Sequence, residues 1–220
     1  SFVPIAPLRA KKSGCRLVEE QVCYEVKFFE IKQAVGVLME QVALTEKGSA
    51  VFVDGVNFNH VKRAIGIDHL DWNAFYRILL EKVCTTGRFV CEPVITINAE
   101  YMCSLGKSLK GAGFSTIVAN SNGGQDDHTL ISRIRQVQFA NTAEIIMVSC
   151  DRDFVPVLRL KAQQGFKVHW VVSRTPSRSG RPHISADLDK LFSAGEFKFT
   201  LVERFRSSLT LPDNAHKQHR

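Results

Sequence analysis

Two short apolar runs that each stop at an aspartate constrain this chain more than any other feature. One reads Ala50-Val51-Phe52-Val53-Asp54-Gly55-Val56-Asn57, and the other reads Glu144-Ile145-Ile146-Met147-Val148-Ser149-Cys150-Asp151-Arg152-Asp153. Apolar runs of this length suit strands buried on both faces of a parallel sheet. Ligands of open α/β sheets bind in the crevice beyond the carboxyl ends of the strands. Asp54, Asp151 and Asp153 are therefore expected to crowd one crevice. Clustered carboxylates repel one another, so a site that keeps them usually holds a cation.

A βα rhythm begins at residue 50, with strands read at 50–54, 93–98, 115–119, 144–150 and 167–172. Between them, 71–84 carries Phe75, Ile78, Leu79 and Val83 on one face behind Asp71 as an N-cap. Further helices are expected at about 102–111, 126–139, 154–164 and 186–193, that at 154–164 opened by Pro156 and closed by Gly165. Asn57 is expected in a loop after the first strand. The fold class is therefore α/β, a five-stranded parallel sheet with helices on both faces. If the order is 3-2-1-4-5, strands one and four are neighbours at the switch point, which sets Asp54 beside Asp151. Residues 1–49 form a basic arm and an amphipathic helix at 17–45, 50–202 form the domain, and 203–220 form a tail. The helix at 17–45 packs on its own domain or docks a protein partner.

The chain is 45% hydrophobic and 23% charged, enough apolar residue to fill a core without disulfides. The six cysteines contain no CxxC pair, which argues against zinc, and the apolar settings of Cys84 and Cys150 suggest reduced thiols in an intracellular home. Cytoplasm and an organelle such as the mitochondrion are not distinguished. The start at Ser1 suggests a missing N-terminus, so the targeting question stays open. No apolar run approaches the ~18 residues of a membrane span, and no membrane partner is expected.

Net charge is +7, and its distribution is uneven: from Phe154 to Ala186 there is no acid, while Arg159, Lys161, Lys167, Arg174, Arg178 and Arg181 fall there. An acidic pocket beside a basic surface suits a polyanion held by one and attacked in the other. The loop Ser173–His183 is the clearest phosphate-contacting candidate, through Arg174, Arg178 and Arg181, with Lys62 and Arg63 as further candidates.

Two more acids join the constellation. Asp126 and Asp127 open the third helix in Gly123-Gly124-Gln125-Asp126-Asp127-His128-Thr129-Leu130-Ile131, and Asp153 stands just before the fourth. Helix capping accounts for one or two of these acids, but not for Asp54 and Asp151 at two strand ends. Hard divalent ions take such oxygen ligands.

Residues 50–195 resemble an NYN domain of the PIN-like nuclease superfamily. The matching pieces are Phe52–Asn57, Asp126–Ile131 and Val148–Pro156, in that order, joined by Gly165–Val168 and Ala186–Asp189. The resemblance implies a PIN-like fold, metal-dependent ribonuclease activity with Mg²⁺ or Mn²⁺, and RNA, single-stranded or structured, as substrate. It implies a site of Asp54, Asn57, Asp127, Asp151 and Asp153, with Asp126 a further metal ligand. The competing reading is a non-catalytic module that binds RNA or serves as scaffold in a ribonucleoprotein assembly.

Overall fold

The apolar runs become the middle of a single sheet. The computed structural model describes residues 47–119, 125–176, 180 and 184–211, with only the backbone described at 125 and 126. The arm at 1–16, the helix expected at 17–45, Arg178, Arg181, and the tail from 212 onward lie outside the described residues. The chain divides between Thr45 and Glu46, and the structure below is that of the second unit.

Strands β1 (Gly48–Val53), β2 (Val94–Asn98), β3 (Ser115–Ala119), β4 (Thr142–Val148), β5 (Lys167–Val172) and β6 (Lys198–Leu201) lie in the order β3-β2-β1-β4-β5-β6. Every neighbouring pair is parallel. The sheet thus has six strands, not the five expected. The sixth is four residues long, Lys-Phe-Thr-Leu, at the sheet edge and only partly buried. So short and amphipathic a segment carries no buried-strand signature, and only pairing with β5 makes it a strand. All six positions of β1 and all seven of β4 are buried. Successive side chains of a strand point to opposite faces, so both faces are covered at the centre of the sheet.

The helices are α1 (Gly55–Ala64), α2 (Trp72–Ile78), α3 (Met102–Gly111), α4 (Gln125–Gln136), α5 (Val155–Gln163), α6 (Ala186–Ala194) and the short α7 (Arg206–Leu209). A π-helical turn, Leu79–Val83, prolongs α2. Helix α1 is a second correction, since Asn57 lies within its first turn and not in a loop. Two asparagines and a glycine in Gly-Val-Asn-Phe-Asn-His-Val-Lys-Arg-Ala give weak local propensity. The cap at Asp54 and burial of Phe58 and Val61 supply what propensity does not.

Within the stretch assigned to the tail, Leu209 is fully buried and Thr210 bridges Leu70. At the amino end of the sheet, buried Glu144 accepts from Ser49 Oγ at 2.6 Å, Thr85 N–H at 2.8 Å and Thr85 Oγ1 at 2.9 Å. Burial pushes this carboxyl up, but the His169 ring, Ser49 and Thr85 together hold it below the usual range. The His169 ring stands 3.8 Å from Glu144, too far for a hydrogen bond, and its Nε2 pairs with Thr200 Oγ1 at 2.7 Å.

Candidate active site

The site forms where β1 and β4 end side by side. Their register pairs Val53 with Val148, and Asp54 N–H donates to Val148 O at 3.0 Å, so Asp54 arrives level with Ser149. Asp54 is buried, 3% exposed, and both carboxylate oxygens have hydrogen bonds. Oδ1 accepts Asn57 N–H at 2.9 Å, capping α1, and Oδ2 accepts Ser149 Oγ–H at 2.9 Å. The same Ser149 oxygen accepts Asp151 N–H at 3.0 Å. One buried hydroxyl therefore couples the aspartate of β1 to the backbone of the aspartate beyond β4.

Asn57 turns toward β4 as well. Its Oδ1 accepts Cys150 N–H at 2.9 Å, which sets the amide orientation because a backbone N–H can only donate. This bond ties the first turn of α1 to the loop that carries Asp151. Asp151 is half-buried and accepts Asp153 N–H on Oδ1 at 2.9 Å, capping the turn Arg152–Phe154. Asp153 is exposed. Among the described residues neither Asp151 nor Asp153 is in an ion pair; Arg152 instead reaches Asp187 at 3.3 Å. Helix α4, which carries half-buried Asp127 in its first turn, packs against that same turn. The side chain of Asp126 lies outside the described residues.

Cys150 reports the electrostatics. Burial pushes its thiol up to about 12, and the charges of Glu203, Asp54 and Asp151 act in the same direction. Its environment is thus both dry and negative. Chemically, Asp151 and Asp153 offer hard oxygen donors at the rim while Asp54 is committed to organising the scaffold. The carboxylates match a hard divalent cation by type. Among the described residues, however, no group of three or more His, Cys, Asp or Glu side chains is placed to hold a metal ion.

The basic candidates are divided. Arg174 donates to Asp189 at 2.7 Å and lies 4.0 Å over the Phe192 ring, so α6 already engages its guanidinium. Lys62 and Arg63 lie at the far end of α1, and Lys62 Nζ donates to the Asp68 carbonyl at 3.1 Å.

Three further residues support the site. Ser149 stood in the motif but had no signal beyond its place before Asp151. Trp170, fully buried, donates from Nε1 to the Ser149 carbonyl at 2.6 Å and holds that residue from below. Glu203 Oε1 accepts Ser173 Oγ–H at 2.6 Å and the N–H groups of Arg174 and Thr175 at 2.6 and 2.8 Å, shaping the start of the basic loop. Its oxygen Oε2 is buried without a partner among the described residues. Nothing near Glu203 in the sequence points to that task.

In a parallel α/β sheet of this order, the acids at the strand ends beside the β1/β4 switch point stand where such sheets bind their ligands. The family comparison is specific: the NYN domain matches residues 48–189, so the chain belongs to the NYN domain family, a PIN-like nuclease family. Comparison with curated proteins and comparison with solved structures each return no match.

Proposed function

We propose that this chain is a divalent-metal-dependent ribonuclease that hydrolyses RNA phosphodiester bonds at the carboxyl edge of β1 and β4. The observation that carries the reading is the Asp54–Ser149–Asp151 linkage within an NYN domain. Asp151 and Asp153, both without ion pairs among the described residues, are the groups that would hold Mg²⁺ or Mn²⁺, with Asp127 on α4 and its sequence neighbour Asp126 as further candidates. Mg²⁺ is commonly bound through one or two carboxylates plus substrate phosphate, so a protein cage of three ligands is not required. When bound, such an ion polarises phosphate and lowers the pKa of water. Asp54 keeps Ser149 and α1 in place, and Asn57 locks α1 to the Cys150 loop through its amide oxygen, which leaves its amide N–H₂ as the group that would donate to a phosphate oxygen or a water. Arg178 and Arg181, with Arg174 where it can leave Asp189, would hold the RNA backbone. The free thiols Cys84 and Cys150 accord with an intracellular setting.

The second reading is an RNA-binding or scaffold module without catalysis, which the basic residues Arg9, Lys11, Lys12 and Arg16 of the amino-terminal arm motivate. Cleavage of a 5′-labelled single-stranded RNA with Mg²⁺, Mn²⁺ or EDTA separates the two. The nuclease reading expects metal-dependent cutting to 5′-phosphate and 3′-hydroxyl ends, lost in Asp54→Asn and Asp151→Asn with RNA binding retained. Tight, salt-sensitive binding without cutting by the native chain would establish the module instead.

A further inference from the structure

Helix α1 has two working faces, and only one serves the acidic site. Asn57 and Val61 lie toward β4 and β5, whereas Val56, Asn59, His60 and Arg63, spaced three and four residues apart, line a cavity of about 490 Å³ on the other side. That volume is in the range of sites for small organic ligands. Its floor is apolar, with Ile95 and Ile97 of β2 beside Leu105 of α3. Two half-buried aromatic residues, Trp72 and Tyr101, form part of the wall. Trp72 meets Phe75 and Phe114 edge-on, with centroids 6.1 and 6.0 Å away, so its ring is braced from behind while it borders the cavity.

The rim is cationic. Lys62 and Arg63 lie there with the imidazoles of His60 and His69, and Asp68 is the one carboxylate among the described lining residues. Burial, and next the adjacent Arg63 charge, lowers the Lys62 pKa. An anion seated between Lys62 and Arg63 would relieve that repulsion. Aromatic and apolar walls under a basic rim match a ligand with a planar aromatic body and an anionic end.

We propose that this cavity is a nucleotide-binding subsite, in which Trp72 and Tyr101 hold a base and Lys62 and Arg63 hold its phosphate. The subsite takes a nucleotide of the RNA strand whose neighbouring phosphodiester lies at Asp151 and Asp153. In that respect it rests on the ribonuclease reading. Gly55 and Val56, which follow Asp54 directly, border the cavity, so the two sites share the first turn of α1 and stand about one helix diameter apart, on the order of 10 Å. The subsite thus gives Lys62 and Arg63 a role distinct from that of the 173–183 loop.

The test uses the intrinsic fluorescence of the full chain, whose two tryptophans are Trp72 at the cavity and Trp170 in the core. AMP, UMP, inorganic phosphate and a short oligoribonucleotide are titrated into the Asp151→Asn protein, which keeps RNA intact. Saturable quenching by the oligoribonucleotide is expected, absent in Trp72→Phe and weakened roughly tenfold in Arg63→Ala and in Tyr101→Ala. Quenching by AMP or UMP as strong as by the oligoribonucleotide would assign the pocket to free mononucleotides and overturn its role in holding the strand. Response to phosphate alone, quenching that survives Trp72→Phe, or no quenching by any probe would overturn the nucleotide assignment. If the native chain cuts RNA, Arg63→Ala and Tyr101→Ala should raise KM with little change in kcat; an unchanged KM sinks the subsite and leaves the nuclease reading standing. Quenching without cutting by the native chain does the reverse.

Discussion

Ser149 Oγ donates to Asp54 Oδ2 at 2.9 Å while accepting Asp151 N–H at 3.0 Å, so the two strand-end aspartates are positioned through one buried hydroxyl. Removing that hydroxyl leaves a buried carboxylate oxygen and a backbone N–H each short of a bond. Ser149→Ala is expected to cost about 1–3 kcal/mol of stability. RNA cleavage should fall by roughly 10- to 100-fold, because small displacements of reacting groups have effects of that size. Urea denaturation beside the labelled-RNA assay checks both; a variant with native cleavage would show that the linkage does not position the site.

Gly55 brings α1 close against β2. A Cβ there would lie 2.0 Å from the Thr96 carbonyl oxygen, and the Gly55 N–H already donates to Thr96 Oγ1 at 3.2 Å. Gly55→Ala must push α1 away from the sheet, at a cost of about 1–3 kcal/mol or more. Because Asp54 caps this helix, cleavage should fall further than stability alone explains. A thermal melt and an activity measurement made well below the transition would show the difference.

How much of this was legible in the sequence follows from where the forces act. The strands β1 and β4 and the acids beyond them could be read because each is a local pattern, an unbroken apolar run with a carboxylate at its end. Helix α1 could not, since its glycine and two asparagines weaken local propensity and its stability comes from Asp54, Phe58 and Val61 meeting the rest of the domain. Strand β6 was missed because four residues, the first exposed and the other three half-buried, have no period of their own. The engagement of Arg174 by Asp189 and Phe192 joins residues from two elements, and no local pattern announces it.

The Glu144 network predicts an acid limb of stability. The carboxyl is held below its ordinary value in the fold, whereas the unfolded chain titrates it near 4.3. Its stabilisation is therefore fully present above about pH 4.3 and is lost as pH falls through the lower folded value. Glu144→Gln should flatten that limb and cost about 1–3 kcal/mol at neutral pH, because an amide N–H₂ replaces one acceptor among the Ser49 and Thr85 donors. Urea midpoints across a pH series check both effects; an unchanged acid limb would move the linkage to other carboxylates.

Cys150 should be inert while folded. With its thiol pushed up to about 12 and its side chain buried, almost no thiolate forms at about pH 8. Iodoacetamide followed by peptide mass spectrometry is expected to label the exposed Cys91 and Cys103 and to spare Cys150 until denaturant is added. Rapid labelling of native Cys150 would mean that the β4 loop opens and that the negative environment described for the site is transient.

By itself the sequence determined the class of fold and the chemical character of the site: buried parallel strands, carboxylates at their ends, and basic residues nearby. These are local properties, set by hydrophobic runs and by charge along the chain. Only the tertiary structure decided what each carboxylate does. Asp54 became a buried cap and anchor because β1 and β4 end level, Asp151 and Asp153 were left at the rim, and Ser149 acquired its bridging position from the strand register. The cavity behind α1 has the same origin, since its walls come from Trp72, Ile97, Tyr101 and Arg63, which only the packing of separate elements brings together.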